Sequence, residues 1–521
     1  MKIFKNGIPG DWLIIKKTFK VFLLAGFCLG VSSCVTQRIV HEIPKLQAPQ
    51  EYYGLFLNGK KIGHSTECQI VESDKVITIM NEVAKFNRFG TTVEMVGYTK
   101  HTEHPNGEPI AFERIENTNS KFWFFHEKKS KRIEGLKIED GSFKVTKTSN
   151  GKTKNSEMQW PENLLLSKGL ELLIKKTGLN EGEKFSAKEI VEYDPFEIFD
   201  EEGTIGQTKA ISLINSTVPL TEILINASSR RYGKIPMIAY VDKEFNKKKV
   251  VASFGGFKFE QISCSREFAM SKNEKVDPTN MAVIRCPVRL RNPEKAKRIK
   301  YHLIPTNKIE LEIPACDNQS VEKCKDGSLI VTVHPAKPSI GNSFPYKGND
   351  EAAQEALKPT EILQCDDEKI IALALKAIVN TKDAAKAANK IEAFVNGYVR
   401  PSGSAMFASA VEVADERKGD CTEYAVLTAA LCRAAGIPAR VVVGYVYIDY
   451  YNGKWNVFVP HAWTEVYIGD KWIGLDATKN RFFGMSNSFT AGHIALSGIG
   501  NKFDFSGLSG LGAFKIRHVE Q

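Results

Sequence analysis

A helix with well-defined ends is the feature that most constrains the fold of this chain. Asp420 precedes a long helical pattern and can cap its N-terminus. Gly436 supplies a terminator just beyond the last turn, and Pro438 prevents the helix from continuing. The pattern therefore predicts a helix from Cys421 to about Ala435 with a thiol in its first turn. There the helix dipole and unpaired N–H groups favour a thiolate and can hold an oxyanion.

Two strand segments downstream carry a histidine and an aspartate. One strand begins at His461, and the returning strand leads to Asp476. If the two residues between the strands form the whole hairpin loop, Ile468 faces Lys471 and Trp463 faces Asp476. His461 then lies on the same sheet face as Asp476, within side-chain reach. A register slip of one residue would send the two side chains to opposite faces.

These three side chains are the parts of a Cys-His-Asp triad. Cys421 would be the nucleophile, His461 the base and Asp476 the acid that orients the imidazole. Cys432 lies three turns further along the same predicted helix, so we interpret it as a buried core thiol.

The segments that carry these residues resemble the catalytic core of the transglutaminase-like superfamily. The shared motifs are Gly-Asp-Cys-x-Glu-x-Ala, Arg-Ala-Ala-Gly-Ile-Pro-Ala-Arg-Val-Val-x-Gly-Tyr, His-Ala-Trp-x-Glu-Val-Tyr and Trp-x-x-Leu-Asp-x-Thr. The resemblance covers roughly residues 370–480 and places the family's nucleophile, base and orienting acid on Cys421, His461 and Asp476. It implies a papain-like α+β fold in which the nucleophile helix packs against an antiparallel sheet.

Other residues near these motifs have a structural and a functional interpretation. Tyr398 could line the cleft or assist the oxyanion, although packing is the simpler role. Trp463 is expected to pack beside the triad rather than bind substrate, while Glu423 and Arg440 are interpreted as structural. The sequence contains no HExxH, paired CxxC, P-loop or GxGxxG motif, so we expect neither a metal nor another cofactor.

The N-terminus has the pattern of an export signal. Residues 1–33 combine a lysine-rich start with an apolar run too short to span a bilayer. The run ends in Val31-Ser-Ser-Cys34, which resembles the lipobox of bacterial lipoproteins and implies that Cys34 is acylated. The alternative is an ordinary signal peptide with an incidental cysteine. No aspartate follows Cys34, so we expect a lipid anchor in the bacterial outer membrane, on its periplasmic side, with residues 34–50 as a tether.

Export would also permit disulfides among the other cysteines. The favoured pair is Cys316 with Cys324, which flank a predicted turn. The alternative is that these cysteines are free buried thiols.

The rest of the chain divides into segments that differ in their hydrophobic periodicity. Alternating hydrophobic runs separated by Asn-Gly and Asp-Gly turns predict β structure in the N-terminal half, and helical periodicity begins near residue 350. The fold class is α+β, with a C-terminal papain-like domain after β-rich domains. The predicted segments are a β-rich domain at 51–275, a small β-rich domain at 284–340, the catalytic domain at 350–496 and a Gly-rich tail at 497–521.

Composition excludes several classes of protein. With 521 residues, 42% hydrophobic and 25% charged, the chain is neither disordered, collagenous nor a polytopic membrane protein. Lys and Arg number 71 against 61 Asp and Glu, and the excess lies before residue 349. The catalytic half is close to neutral, so charge does not suggest nucleic-acid binding. An anionic envelope polymer could still contact the lysines of the N-terminal half.

The sequence thus favours an exported, lipid-anchored thiol enzyme that acts on amide bonds of peptides or proteins. The acyl group would pass to water, which is favoured, or to a lysine amine, as in a cross-linking transglutaminase. Another class remains open: a cell-envelope binding or assembly lipoprotein whose triad is vestigial.

Overall fold

The computed structural model describes residues 41–44, 51–88, 91–122, 125–149, 151–191, 197–229, 233–306, 311–337, 341–402, 408–479, 489–497 and 510–521. The predicted signal peptide, the predicted acylation site Cys34 and all of the predicted tether except residues 41–44 lie outside this part of the chain. In the part described, no helix is long and apolar enough to cross a membrane.

The described residues divide into two compact units: those within 41–87 and 92–276 form the first, and those within 88–91 and 277–521 form the second. The division falls after Val276, one residue beyond the predicted end of the N-terminal domain. Each unit has its own sheets and core, described separately below.

The first unit is β-rich, as the alternating pattern predicts, and consists of one large meandering sheet. Neighbouring strands run in order from β8 back to β1, which pairs with β15, and then from β15 back to β9. The strands are β1 (Glu51–Leu57), β2 (Lys60–Val71), β3 (Val76–Arg88), β4 (Thr91–Glu103), β5 (Pro109–Phe122), β6 (Phe125–Lys137), β7 (Phe143–Ser149), β8 (Lys152–Met158), β9 (Leu164–Leu165), β10 (Lys184–Val191), β11 (Glu197–Ser212), β12 (Thr217–Ser229), β13 (Gly233–Val241), β14 (Lys247–Phe254) and β15 (Phe257–Ser263).

Two helices accompany this sheet: α1 (Ser167–Thr177) and α2 (Arg266–Met270). The N-terminus of α1 is held by the end of β4. The carboxylate of Glu103 accepts hydrogen bonds from the backbone N–H groups of Lys168, at 2.6 Å, and Gly169, at 2.8 Å. A buried carboxylate at this position satisfies two otherwise unpaired donors and complements the helix dipole.

The described part of the second unit combines helices with three sheets, the smallest of which is the parallel pair of β20 and β21. Its main sheet has the order β16-β23-β22-β25, with β24 paired to β23, and a second sheet has the order β18-β19-β17-β26. The helices are α3 (Pro278–Met281), α4 (Glu351–Glu355), α5 (Glu368–Ala377), α6 (Ala384–Tyr398), α7 (Ala410–Glu416) and α8 (Cys421–Ala434). The strands are β16 (Ile284–Arg285), β17 (Ile299–Pro305), β18 (Gln319–Lys323), β19 (Leu329–Val333), β20 (Arg400–Pro401), β21 (Lys418–Gly419), β22 (Ala439–Tyr451), β23 (Lys454–Ile468), β24 (Lys471–Leu475), β25 (His493–Ala495) and β26 (Phe514–Glu520).

The core of this unit surrounds helix α8. The helix packs against β22 and β23 and against α5, α6 and α7, and it is buried along almost its entire length. An antiparallel sheet on one side of a central buried helix is the α+β arrangement that the sequence predicts for this region.

The block at 284–340 and the C-terminal residues differ from the sequence prediction of a separate domain and a tail. Strand β16 pairs with β23 of the main sheet, and β26 pairs with β17, so both segments belong to the second unit. The pairing of β17 with β26 shifts between His302 and Leu303. This bulge interrupts the period-two burial of β26, which is why the C-terminal sequence lacks a recognisable strand pattern.

The predicted disulfide between Cys316 and Cys324 is absent from the structure, in which both residues are free thiols. They lie at opposite ends of β18, which has five residues. A strand of that length spans about 13 Å. Bridged cysteines need Cα atoms within about 7 Å of each other, so the intervening strand keeps these two thiols apart.

Candidate active site

Helix α8 begins with a capping box that places Cys421 at its first position. The Asp420 side chain accepts a hydrogen bond from the Thr422 backbone N–H at 3.0 Å. In return, the Glu423 side chain accepts from the Asp420 backbone N–H at 2.9 Å. Beyond the helix, Gly436 has a φ of 80°, which favours glycine and ends the helix where the sequence predicts.

The two strands that carry His461 and Asp476 pair in the predicted register. Ile468 lies opposite Lys471 and Thr464 opposite Leu475, so the hairpin loop consists of the two residues between the strands. A hydrogen bond of 3.0 Å from the Thr464 hydroxyl to the Ala425 carbonyl joins β23 to helix α8. The register therefore directs His461 and Asp476 to the same face of the sheet.

His461 and Asp476 form a fully buried hydrogen-bonded pair. The Nε2 atom of His461 lies 2.8 Å from Oδ2 of Asp476, and the two side chains are 0% and 1% exposed. Burial disfavours the charged carboxylate, but the hydrogen bonds and electrostatic interactions with His461 and His493 outweigh this effect. The pKa of Asp476 is therefore well below its ordinary value. Asp476 is ionised and can orient His461.

The segment around Asp476 is fixed from two directions. Its Oδ1 atom accepts hydrogen bonds from the backbone N–H of Thr478, at 2.9 Å, and from the Thr478 hydroxyl, at 2.5 Å. Its own backbone N–H donates to Glu392 of helix α6 at 2.9 Å. Asn396, one turn further along α6, donates to the carbonyls of Ala477 and Lys479. Helix α6 thus holds the residues that follow β24.

A second histidine also contacts Asp476, and the sequence analysis missed it. The Nε2 atom of His493, on β25, lies 3.3 Å from Oδ2 of Asp476. Strand β25 is only three residues long and pairs with β22, where Val446 lies opposite His493. Such a short strand carries no periodicity that would predict its partner, so the only available signal was a histidine in an apolar run.

The environment of Cys421 differs from the thiolate-favouring site that the sequence predicts. Burial raises the pKa of the Cys421 thiol well above its ordinary value, and the neighbouring Asp420 carboxylate raises it further. A hydrogen bond from the backbone N–H of Ala462, the residue after His461, lowers the pKa of the thiol only in part. Cys421 is therefore a protonated thiol in the free protein.

The two residues with an uncertain role are both engaged in packing. Trp463 is buried, stacks on the His461 ring at a centroid distance of 6.3 Å and meets His493 edge-on at 5.2 Å. Tyr398 donates its hydroxyl to the Ala414 carbonyl at 2.8 Å. This hydrogen bond occupies the hydroxyl proton, which leaves it unavailable to an oxyanion in this arrangement.

A buried ion pair between Arg440 and Glu465 connects β22 to the hairpin strand β23. Two guanidinium nitrogens of Arg440 contact Oε2 of Glu465 at 2.9 and 2.7 Å. Arg440 also lies over the Trp472 ring at 4.0 Å, and Asn318 donates to Glu465 at 2.9 Å. Arg440 is a structural residue, as the sequence predicts, and it ties β22 to β23.

Within the described ranges, one group of side chains could bring its donor atoms around a single metal ion. It consists of His461, Asp476 and His493, whose candidate ligand atoms lie within 4.8 Å of one another. Both imidazoles direct Nε2 at the same carboxylate oxygen, the arrangement expected of two N–H donors that share one acceptor.

The model of the transglutaminase-like superfamily matches residues 371–477, which include Cys421, His461 and Asp476. This part of the chain is a transglutaminase-like domain. The match covers about a fifth of the chain and ends before His493. None of the curated proteins compared with the chain matches it.

Several solved structures resemble parts of the chain that carries this transglutaminase-like domain. A "putative cysteine protease" from Cytophaga hutchinsonii is 18% identical, with 43% of this chain and 85% of that one covered and a TM-score of 0.28. A β-barrel-like protein of a domain of unknown function from Brucella abortus is 13% identical, with 42% and 95% covered and a TM-score of 0.33. A "putative protease" from Parabacteroides distasonis is 10% identical, with 79% and 69% covered and a TM-score of 0.19. With TM-scores below 0.5, these similarities do not define a shared overall fold.

Proposed function

We propose that this protein is an exported, lipid-anchored thiol enzyme that cleaves amide bonds of peptide or protein substrates. The observation that carries the proposal is the buried pair of His461 and Asp476, 2.8 Å apart, next to a helix that begins at Cys421. The hydrogen bond from the Ala462 N–H to the Cys421 thiol supports the proposal, because it holds the sulfur next to the residue that follows His461.

The first half of the reaction is acylation of Cys421. Because the thiol is protonated at rest, His461 takes its proton while the sulfur attacks the carbonyl carbon. Nε2 of His461 is directed at Asp476, so the nitrogen that takes the proton is Nδ1. The ionised Asp476 stabilises the resulting imidazolium. When the C–N bond breaks, His461 returns this proton to the departing amine and a thioester remains.

The second half releases the acyl group. In hydrolysis, a water molecule gives a proton to His461 and attacks the thioester, and the proton then returns to the Cys421 sulfur. In transamidation, a lysine amine replaces the water and an isopeptide bond forms. We favour hydrolysis, and both routes use the same three side chains.

A paired assay tests this function on the protein that begins at Cys34. The assay measures new N-termini and ammonia from a peptide library, together with incorporation of a labelled amine into glutamine peptides. Hydrolysis without amine incorporation would support the peptidase, whereas incorporation would favour transamidation. C421A should abolish either activity. The matched control is C432A, a buried cysteine on the same helix, which should retain it.

Two results would contradict this proposal. If C421A is as active as the wild type, the triad assignment is wrong. If the wild-type protein neither turns over substrate nor reacts at Cys421 with iodoacetamide, the non-catalytic envelope lipoprotein becomes the better hypothesis.

Lipid anchoring is a separate part of the proposal and has its own test. Labelled fatty acid should be incorporated into the protein in bacterial cells, and the C34S variant should lose both the label and membrane fractionation. A C34S protein that still partitions with the outer membrane would contradict the proposed anchor.

A further inference from the structure

The contacts of Asp476 extend beyond the three residues of the proposed triad. Oδ1 accepts two hydrogen bonds from Thr478, while Oδ2 is shared by the Nε2 atoms of His461, at 2.8 Å, and His493, at 3.3 Å. His461, Asp476 and His493 are all at most 2% exposed. Since a carboxylate oxygen with two donors is held more firmly in its plane than one with a single donor, His493 restricts rotation of the group that orients His461.

The protonation state of His493 follows from its own contacts. Its Nδ1 atom lies 3.2 Å from the backbone nitrogen of Thr490, which donates to it, and 3.2 and 3.3 Å from the Thr490 hydroxyl and carbonyl oxygens. Its Nε2 atom faces a carboxylate, which can only accept. Burial keeps the pKa of His493 below its ordinary value. His493 is therefore a neutral imidazole that carries its proton on Nε2.

We propose that His493 is a positioning residue that fixes the Asp476 carboxylate, through its Nε2–H, in the orientation that holds His461 for proton transfer. This inference rests on the proposed function, since it concerns the base of the same reaction. His493 belongs to β25, beyond the segment that matches the superfamily. His493 reaches the site because β25 pairs with β22.

The titratable groups around the site set the expected direction of a pH effect. Three titratable residues contact Asp476: His461 on β23, His493 on β25 and Glu392 on α6. In addition, Asp420 at the start of α8 interacts with His461. Removal of the His493 donor makes the Asp476 carboxylate more basic. It then holds the proton of imidazolium His461 more strongly, so the acidic limb of the pH–rate profile moves to higher pH.

The experiment compares H493A and H493Q with the wild type in the complete mature protein. H493A should lower kcat about 10- to 100-fold with little change in KM, and it should move the acidic limb of kcat/KM upward by about one pH unit. H493Q should restore both, because the glutamine amide N–H can donate from nearly the same position. The control is H518A, which removes an exposed histidine of the same unit and should change neither.

Two results would overturn the proposal. One is a kcat of H493A within about threefold of the wild type. The other is a loss of activity in H493A with an unmoved acidic limb and no rescue by H493Q, which indicates a merely structural role.

Histidine side-chain ¹⁵N NMR separates this proposal from the proposed function. The wild-type spectrum should assign the Nε2-protonated neutral form to His493 whether or not a substrate is known, and the pH dependence of Cys421 alkylation should show the same shift in H493A. An Nδ1-protonated His493, or tightly bound metal that is lost in H493Q, would refute the positioning role even in an active enzyme. Correct NMR and alkylation results without turnover would refute only the proposed function.

Discussion

Replacement of Asp476 by asparagine is the most informative single change in the site. The carboxylate accepts hydrogen bonds at both oxygens, from His461 and His493 at Oδ2 and from Thr478 at Oδ1. An amide presents one acceptor and one donor group, so D476N must place its NH₂ either against the two imidazoles or against the Thr478 backbone N–H. In the first orientation His461 is forced to protonate Nδ1, and in the second a buried N–H loses its acceptor.

The expected loss can be estimated from these contacts. Loss of a hydrogen bond to a charged group contributes about 1.5–3 kcal/mol, and a buried donor left without an acceptor adds about 1–3 kcal/mol. Together these terms predict a decrease of about 10² to 10⁴ in the rate of Cys421 acylation. Both orientations have the same consequence for catalysis, because each removes the negative charge that stabilises imidazolium His461.

Two rates are measured at neutral pH: the second-order rate at which iodoacetamide modifies Cys421, and the rate at which the enzyme cleaves a peptide substrate. The control is D470N, an exposed aspartate in the loop of the same hairpin, which should react like the wild type. Thermal unfolding of each variant separates a local defect from loss of the fold. A correctly folded D476N that reacts within about threefold of the wild type would refute the role assigned to Asp476.

Three further predictions concern the chemistry of the thiol and the stability of each unit. Because burial and Asp420 raise the pKa of Cys421, its alkylation rate should keep rising with pH beyond the ordinary thiol pKa; a plateau at mildly acidic pH would instead indicate a thiolate–imidazolium pair. E465L should lower the free energy of unfolding of the second unit by about 3–5 kcal/mol, since it strands the buried Arg440, and R440M/E465L should recover most of that loss in calorimetry. E103Q should destabilise the first unit by about 1–2 kcal/mol and speed amide exchange in α1, whereas a change of more than about 0.5 kcal/mol in the control E108Q, at an exposed ion pair, would undermine the comparison.

The parts of the site that are local in sequence could be predicted from the sequence. The ends of helix α8 follow from Asp420 and Gly436, and the register of His461 against Asp476 follows from a two-residue hairpin loop. Each of these features depends on residues a few positions apart, where capping and turn chemistry decide the geometry.

Features that depend on distant pairing or on burial could not be predicted in this way. His493 reaches Asp476 because a three-residue strand pairs with β22, and no pattern within such a strand specifies that partner. The direction of the shift in the Cys421 pKa is set mainly by how deeply the tertiary structure buries the sulfur. The separation of Cys316 and Cys324 likewise required knowing that a five-residue strand follows the turn at residues 317–318 and lies before Cys324.

The pairing of β17 with β26 has a consequence for the order in which the second unit can fold. Tyr301 lies opposite Val519, so nearly the whole unit, including the transglutaminase-like domain, forms a loop between two adjacent strands. During synthesis, β17 emerges long before its partner β26, and one edge of β17 stays exposed until β26 has been made. Premature termination before Phe514 would leave that edge permanently open, so a truncated product should aggregate even though every residue of the proposed triad is present.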